Sequence, residues 1–181
     1  RITGYVLSLA YTLFVNYYIG FMICIFLVLY HIVYSLRKHR GGENQARGFL
    51  RFLGSSALGG GMAMFLLIPV ALGHTSAAGG KVPDFNNNFD LFNLLGRHLY
   101  GTTPTIRSGN LPNLYCGILS VILLPIFATM KAIPRRRRVV YMGLWAAMGI
   151  SMVINVFDLA WHGNHSPNDL PYRFSFLYCF V

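Results

Sequence analysis

Residues 2–36 read ITGYVLSLAYTLFVNYYIGFMICIFLVLYHIVYSL and contain no Asp, Glu, Lys or Arg. A helix needs only about 20 apolar residues to cross a membrane, so this run is too long for one span. Asn16 interrupts it just before two tyrosines, which are enriched at membrane interfaces. The stretch therefore predicts two transmembrane helices, near 2–15 and 18–36, joined by a tight turn at Asn16–Tyr18.

The composition of the whole chain is typical of an integral membrane protein. Of its 181 residues, 55% are hydrophobic and only 11% are charged, and the mean hydropathy is +0.51. A soluble domain usually carries about a quarter charged residues. Further apolar runs predict three more spans and the start of a sixth, at 49–72, 114–130, 139–157 and 174–181. The expected fold is all-α: one polytopic transmembrane helix bundle that comprises residues 1–181.

The third predicted span is rich in small residues. Its middle, Gly54–Gly61, reads GSSALGGG. Such residues weaken a helix in water but let helices approach closely in lipid. A break or re-entrant turn at the glycines is the alternative, and Pro69 is expected to kink the far end of the span.

The long polar segment 73–113 contains an apolar stripe at helical spacing. The stripe consists of Phe85, Phe89, Phe92, Leu95 and Leu99. Asp84 is available as an N-cap and Gly101 as a C-terminal stop. This pattern predicts a helix that lies in the membrane interface instead of crossing the membrane.

The basic residues are distributed as a topology signal. Arg1, 37–51 and 131–138 together hold eleven Lys and Arg, whereas 73–113 and 158–173 hold four. Positive charge concentrates in cytoplasmic loops. We therefore expect a multi-pass membrane protein with 37–51 and 131–138 in the cytoplasm and the other two segments outside. On this interpretation the net charge of +10 serves topology and lipid headgroups, and no nucleic-acid partner is expected.

Patterns for metal binding and disulfides are weak. Cys24, Cys116 and Cys179 are odd in number and form no CxxC pair, so they are interpreted as small buried apolar residues. His162 and His165 have a spacing that suits a helix face, but the glycine, asparagine and proline around them disfavour a helix. We expect no metal site and no certain cofactor, and leave a divalent metal ion as the alternative.

Polar and titratable groups gather between Asp158 and Phe176, flanked by apolar runs. Such groups are costly at the mouth of a membrane helix unless they are used. Arg173 directly precedes the sixth helix, which makes it a candidate for binding phosphate or carboxylate, with snorkelling to lipid headgroups as the alternative. Asp158 is either a carboxylate with a chemical role or a helix-terminal residue that faces water.

The 73–113 segment supplies a second set of polar candidates. They are His74, Lys81, Asp84, Asp90, Arg97, His98 and Arg107. Carboxylates and imidazoles suit general-base chemistry, and arginines suit a phosphate. The chain has no glycine-rich phosphate loop, dinucleotide fingerprint, nucleophile elbow or HExxH motif, so templates for soluble enzymes do not apply.

Several stretches give the chain a resemblance to a known family. They are Asp158–Gly163 (DLAWHG) followed by Pro167–Phe176 (PNDLPYRFSF), Asn16–Met22 (NYYIGFM) and Leu111–Gly117 (LPNLYCG). In this combination and order they resemble the YfhO family of bacterial membrane proteins. The resemblance implies a polytopic glycosyltransferase of the GT-C type in a bacterial plasma membrane. Such an enzyme takes a sugar from a polyprenyl-phosphate carrier on the outer face and transfers it to a cell-envelope polymer, here of the teichoic-acid type.

The resemblance also implies a catalytic acidic residue in a first outer loop near the N-terminus. Because the chain begins at Arg1, without Met, and stops within an apolar run at Val181, we expect an internal fragment that lacks this residue. Asp158, Asp84 and Asp90 are therefore only weak candidates for the catalytic acid.

The leading hypothesis is a site for a lipid-phosphate sugar on the outer face. The expected substrate-binding residues are Arg173, His162, His165, Arg97, Arg107 and Tyr172. The arginines would neutralise the leaving phosphate, and the histidines, with Asp158, would orient the acceptor or hold the loop. The expected partners are the carrier-linked sugar, the envelope polymer and membrane lipids.

The alternative is a transporter or lipid flippase without chemistry. That class places charged residues inside its spans and broken helices in two related halves. Here His31 is the sole ionisable residue well inside a predicted span, and the sequence shows no internal repeat. A scaffold for another envelope enzyme is a third hypothesis.

Overall fold

The protein is seen in a computed structural model that describes residues 2–37, 42–77, 86–102, 111–163 and 172–181. These residues form helices and irregular segments, and no β-strand occurs among them, which confirms the all-α class. The chain divides into two compact units, residues 1–79 and 80–181. The helices are α1 (Ile2–Val15), α2 (Tyr17–Arg37), α3 (Gly42–Met62), α4 (Met64–Ala77), α5 (Leu91–Gly96), α6 (Ile118–Thr129), α7 (Arg135–Val153), α8 (Asn155–Trp161) and α9 (Ser175–Phe180).

In the first unit, α1 and α2 follow the predicted bounds closely. The junction is shorter than the expected Asn16–Tyr18 turn, because Asn16 alone separates the two helices. Its side-chain Oδ1 accepts a hydrogen bond from the backbone N–H of Ile19 at 3.1 Å, so it caps the start of α2. Gly20 lets the two helices pack closely, since a Cβ there would lie 2.8 Å from Cδ2 of Leu13.

The predicted third span, 49–72, is not one helix. Helix α3 ends at Met62, α4 begins at Met64, and the segments on either side of Ala63 are bent by 77°. The break follows the glycine run, as the alternative interpretation expected. Pro69 lies inside α4, and the 77° bend of the predicted span is six residues earlier, at Ala63.

The core of the first unit forms where α1 meets α3 and α4. Leu9, Leu13 and Ala63 are buried there. Gly59 makes this contact close, because a Cβ on it would lie 3.2 Å from both Leu9 Cδ2 and the Val6 carbonyl oxygen. The small residues therefore permit the close helix approach that their composition predicts.

In the second unit, the predicted helix along 85–99 is much shorter than expected. Helix α5 spans only Leu91–Gly96, and Asp90, not Asp84, is its N-cap: Oδ1 accepts from the Leu91 N–H at 2.9 Å. Asp84 lies outside the described residues. The helix starts late because Asn86–Asn88 make extended backbone contacts with another segment.

The predicted fourth span is also shorter in the structure. Helix α6 spans twelve residues, about 18 Å, and begins four residues after the predicted start. None of its residues is buried. A helix with an apolar sequence and no buried side chain is better suited to lipid than to water.

The predicted basic loop 131–138 is partly helical. Helix α7 begins at Arg135, directly after Pro134, whose fixed φ suits a helix start. Four arginines at a helix N-terminus are unfavourable to the helix dipole. One compensation is visible: Nη1 of Arg138 donates to the carbonyls of Ala128 at 3.1 Å and Met130 at 2.9 Å, near the end of α6.

The predicted fifth span, 139–157, is broken as well. Helix α7 ends at Val153, Ile154 is extended with φ −93° and ψ 120°, and α8 begins at Asn155. Gly149 brings this helix close to its neighbours, because a Cβ there would lie 3.3 Å from Leu94 and 3.4 Å from Tyr178. The start of the sixth span, predicted at 174–181, corresponds to α9.

Among the described residues, α2 is the helix that is long and apolar enough to cross a membrane by itself. The bent α3–α4 pair is also long and apolar enough if the two helices are counted as one span. Helices α1 and α6 are apolar but shorter. The bundle of five spans, the interfacial position of α5 and the single transmembrane domain therefore stay predictions.

Candidate functional site

A cluster of polar side chains is buried in the second unit, around the break between α7 and α8. Ser151, Asp158 and His162 are each less than a tenth exposed. Asn88, from the segment before α5, contacts the same region. We call these four residues the Asp158 cluster.

The cluster exists because the helix break is closed by another segment. At the break, the Val153 carbonyl accepts from the Asn88 N–H at 2.7 Å, and the Asn155 N–H donates to the Asn86 carbonyl at 3.2 Å. The Asn88 side chain also donates to the carbonyl of Met152 at 3.2 Å. Helix ends leave such groups without intrahelical partners, and burial without partners is costly. The Asn86–Asn88 segment therefore makes the break stable and presents Asp158 from the first turn of α8.

Asp158 is a buried carboxyl group with few hydrogen bonds. It is 6% exposed, and its Oδ2 accepts from Nδ2 of Asn88 at 3.4 Å. Its Oδ1 accepts no hydrogen bond from the described residues, although Nδ1 of His162 lies 3.5 Å away. Burial raises the pKa of Asp158 to about 7, and the Asn88 hydrogen bond opposes this rise. The carboxyl group therefore exchanges a proton near neutral pH.

The His162 ring is held in one orientation by α8. Its Nδ1 lies 2.8 Å from the backbone carbonyl oxygen of Asp158. A carbonyl oxygen can only accept, so Nδ1 carries the hydrogen and the neutral ring is the Nδ1–H tautomer. The ring is 3% exposed and meets Phe174 edge-on, with the ring centroids 5.9 Å apart.

Aromatic packing fastens the end of α8 to the start of α9. Trp161 stacks on Phe174 with ring centroids 4.7 Å apart and planes 9° apart. The indole N–H of Trp161 donates to Ser151 Oγ at 3.1 Å, and that hydroxyl donates to the Met148 carbonyl at 2.7 Å. These contacts hold Trp161, at the end of α8, against Phe174, at the start of α9.

Tyr172 is buried beside this stack in an unusual backbone conformation. Its φ is +59°, in the left-handed region that non-glycine residues rarely adopt. The ring meets Phe89 edge-on at 5.4 Å. Burial raises the pKa of Tyr172 above its usual range, and the negative charge of Asp158 adds to the rise. Tyr172 is thus a packing residue near the carboxyl group, with a phenol that stays neutral.

Arg173 has a different position from its neighbours. Its side chain is exposed, whereas Tyr172 and Phe174 on either side are 4% and 0% exposed. The two buried rings anchor the chain on either side of Arg173. This arrangement suits a cation that binds an anionic ligand at the surface.

The structure brings together part of the predicted site. Asp158 and His162 belong to the Asp158 cluster, and Tyr172 is near enough for the charge of Asp158 to raise its pKa. Arg173 is the next residue in the chain. Arg97 is the C-cap residue of α5, and its backbone N–H donates to carbonyls of that helix. Asp90 is exposed and is the N-cap residue of the same helix. Arg107, His165 and Asp84 lie outside the described residues.

Sequence reasoning missed Asn88 and Ser151. The run Asn86–Asn88 was the available signal, because three consecutive side-chain amides in a polar segment favour backbone hydrogen bonding over helix. Ser151 had no signal, since a serine within an apolar helix usually bonds its own helix. Within the described part of the chain, no three His, Cys, Asp or Glu side chains come together to hold a metal ion.

Comparison with known proteins agrees with the motifs quoted above. The family model described as "Bacterial membrane protein YfhO" matches residues 1–181. No curated protein and no solved structure matches the chain.

Proposed function

Because the chain belongs to the YfhO family of bacterial membrane proteins, we propose that it is part of a membrane glycosyltransferase. In this proposal the enzyme takes a sugar from a polyprenyl-phosphate carrier on the outer face of the bacterial plasma membrane. It transfers the sugar to a cell-envelope polymer of the teichoic-acid type. The single observation that carries the proposal is an exposed arginine, Arg173, whose neighbours in the chain, Tyr172 and Phe174, are both buried.

A multi-pass topology is part of the proposal. It supposes that α1, α2, α6 and α7, together with the bent α3–α4 pair, lie within the bilayer and that α9 begins a further span. The many exposed apolar side chains of α2 and α6 support this, because a lipid surrounding removes the cost of exposing them to water. The segments 73–113 and 158–173 would then face the outside, where the carrier-linked sugar is used.

The residues of the site would have separate roles. Arg173 would bind the carrier phosphate, which gains negative charge as the sugar leaves. Tyr172 and the Trp161–Phe174 stack would fix the backbone that carries it. His162 and Asp158 would hold the end of α8 in place, because both are too buried among the described residues to contact a polymer acceptor. We assign the catalytic acid to neither of them.

Replacing Arg173 tests the proposal. In cells that produce the full-length protein, Arg173→Ala should lower envelope glycosylation about 10-fold or more, since a hydrogen bond to a charged group contributes about 1.5–3 kcal/mol. Arg173→Lys should retain part of the activity, because charge is kept while the bidentate geometry is lost. Arg136→Ala, which removes an exposed arginine of α7, is the matched control and should behave as the unaltered protein.

Two outcomes would contradict the proposal. Unchanged glycan levels in Arg173→Ala, at normal protein abundance, would remove Arg173 from the site. Purified full-length protein that moves the carrier lipid between leaflets, and transfers no sugar to the polymer, would favour a flippase instead.

A further inference from the structure

A long apolar groove lies in the second unit, apart from the Asp158 cluster. It has a volume of about 850 Å³ and runs between α6 and α7, with α9 at one side. Val121, Leu124 and Phe127 contribute one wall, and Met142 and Trp145 contribute the other. A groove of this composition suits a hydrocarbon chain.

The two ends of the groove differ in charge. At one end lies Arg137, the residue with a permanent charge among the described residues that line the groove. At the other end, His98 and Tyr178 lie against Trp145, eight residues further along α7, with ring centroids 6.1 and 5.2 Å from that of Trp145. The groove therefore has a cationic end and an uncharged end.

The uncharged end is occupied by internal hydrogen bonds. Nδ1 of His98 lies 2.9 Å from the Leu94 carbonyl oxygen and must carry the hydrogen, since a carbonyl only accepts. In the neutral ring, Nε2 then accepts from the Tyr178 hydroxyl at 3.0 Å. The described residues that line this end carry no permanent charge, so a ligand with an anionic head would enter with its head at Arg137 and its tail toward His98.

Arg137 and the next residue, Arg138, make different contacts. Arg138 donates to the carbonyls of Ala128 and Met130 and so joins α6 to α7. Arg137 is exposed and faces the groove instead. Because Arg138 joins the end of α6 to the start of α7, the backbone that carries Arg137 is held in place at the edge of the groove.

The length of the groove limits the tail. Its wall on α7 extends from Arg137 to Trp145, about 12 Å at 1.5 Å per residue. One leaflet of a bilayer has a hydrocarbon depth of about 15 Å, half of the roughly 30 Å core. The groove therefore matches an acyl chain of one leaflet and is short for a polyprenyl chain.

We propose that this groove is a binding site for one anionic phospholipid of the cytoplasmic leaflet, with its phosphate at Arg137 and an acyl chain between α6 and α7. The leaflet rests on the orientation proposed above, and the site is separate from that of the sugar carrier. Basic pockets between membrane helices on the cytoplasmic side are known to hold anionic headgroups, with about 1 kcal/mol for each basic residue.

Lipid binding to the purified full-length protein tests the site. Phosphatidylglycerol with brominated acyl chains should quench the fluorescence of Trp145, which lines the groove, and this part of the quenching should be lost in Trp145→Phe, which retains Trp161. Arg137→Gln should weaken the apparent affinity about fivefold, the equivalent of about 1 kcal/mol. Arg136→Gln removes the same charge from a neighbouring exposed residue that does not line the groove, and should have no effect.

A comparison on the unaltered protein makes the test independent of how the variants fold. Brominated phosphatidylglycerol should quench Trp145 at a lower concentration than brominated phosphatidylcholine. Equal quenching by the two lipids would overturn the proposal, and so would equal loss in the two glutamine variants. Displacement of phosphatidylglycerol by lower concentrations of polyprenyl phosphate would assign the groove to the carrier instead. Glycan transfer, tested with Arg173, can fail while lipid binding succeeds, so the two proposals are distinguishable.

Discussion

The two units each contain a helix interrupted at one residue, and the two interruptions are built differently. At Ala63 the bonds across the break are local: the Ala63 N–H binds the Gly60 carbonyl, and the Ala63 carbonyl accepts from Leu66 and Leu67. At Ile154 the residue's own N–H and carbonyl also bond locally, but the neighbouring Val153 carbonyl and Asn155 N–H bind the distant Asn86–Asn88 segment. The first break follows a glycine run, and the second has no glycine beside it.

The difference explains why, among the described residues, buried polar side chains gather at the second break. A break that is closed locally needs no polar partner, and Ala63 is simply buried in an apolar core. A break that is closed by another segment brings side chains of remote sequence together. Asn88 and Asp158 are 70 residues apart and meet there. Interrupted helices at membrane depth are tolerated where their backbone groups find such partners.

Removal of Trp161 should have the largest effect on the second break. Trp161→Ala deletes a buried ring that stacks on Phe174 and binds Ser151, and we expect a loss of about 3–5 kcal/mol of unfolding free energy. Denaturant unfolding of the detergent-solubilised protein measures it. Phe157→Ala, on the same helix but 48% exposed, is the control and should lose far less. Equal losses would mean that the packing of Trp161 does not anchor α8.

Stability should depend on pH through Asp158. The folded protein raises the pKa of this carboxyl to about 7, whereas an unfolded Asp titrates near 4. The folded state thus binds more protons between these values, so the stability that the neutral carboxyl contributes is present below about pH 4 and is lost as pH rises through about 7. Between pH 5 and 8 the loss should be on the order of 2 kcal/mol.

Asp158→Asn should flatten this pH dependence, because the amide does not titrate. Thermal unfolding at several pH values provides the measurement. A variant with the same pH dependence as the unaltered protein would show that Asp158 is not the titrating group.

The side chain of Asn88 should contribute a smaller amount. Asn88→Ala removes its hydrogen bonds to the Met152 carbonyl and to Asp158, and should reduce the unfolding free energy by about 1–2 kcal/mol. Asn87→Ala is the matched control, because that side chain is exposed and the residue contacts Ile154 through its backbone. If the two alanine variants were equally stable, the backbone bonds alone would close the break.

The smallest effect is expected at the first break, where one substitution should stabilise the protein. Gly60→Ala should stabilise the protein by about 0.5–1 kcal/mol, because no atom lies within 4 Å of the added methyl group and alanine favours a helix. Gly59→Ala should not, because its Cβ would lie 3.2 Å from the Val6 carbonyl oxygen of α1. We expect a difference of about 1 kcal/mol between the two variants, measured by thermal unfolding. Equal stability would indicate that α1 and α3 separate easily.

Much of the first unit could be predicted from the sequence. The bounds of α1 and α2 follow from a run of apolar residues interrupted by a single Asn, and such signals are local. The break at Ala63 was visible as an alternative in the glycine run. Its exact position was not, because several glycines permit a break equally well.

The second unit was less predictable, because its breaks depend on contacts between remote residues. Nothing near Ile154 marks a helix end, and the start of α5 depends on the pairing of Asn86–Asn88 with α7 and α8. The motif around Asp158 and Arg173 did identify the region that contains the cluster. Sequence alone could not decide that Asp158 is buried and Arg173 exposed, since their order along the chain does not determine which side faces the core.

Several hydrogen bonds at the break around Ile154 depend on one segment of the chain. The Asn86–Asn88 segment satisfies the Val153 carbonyl and the Asn155 N–H through backbone bonds, and the Met152 carbonyl through a side chain. If the segment moved away, all three groups would lose their hydrogen-bond partners together, so a partly opened state is not favoured. A ligand that displaced this segment would therefore break these hydrogen bonds together and change the surroundings of Asp158 in one step.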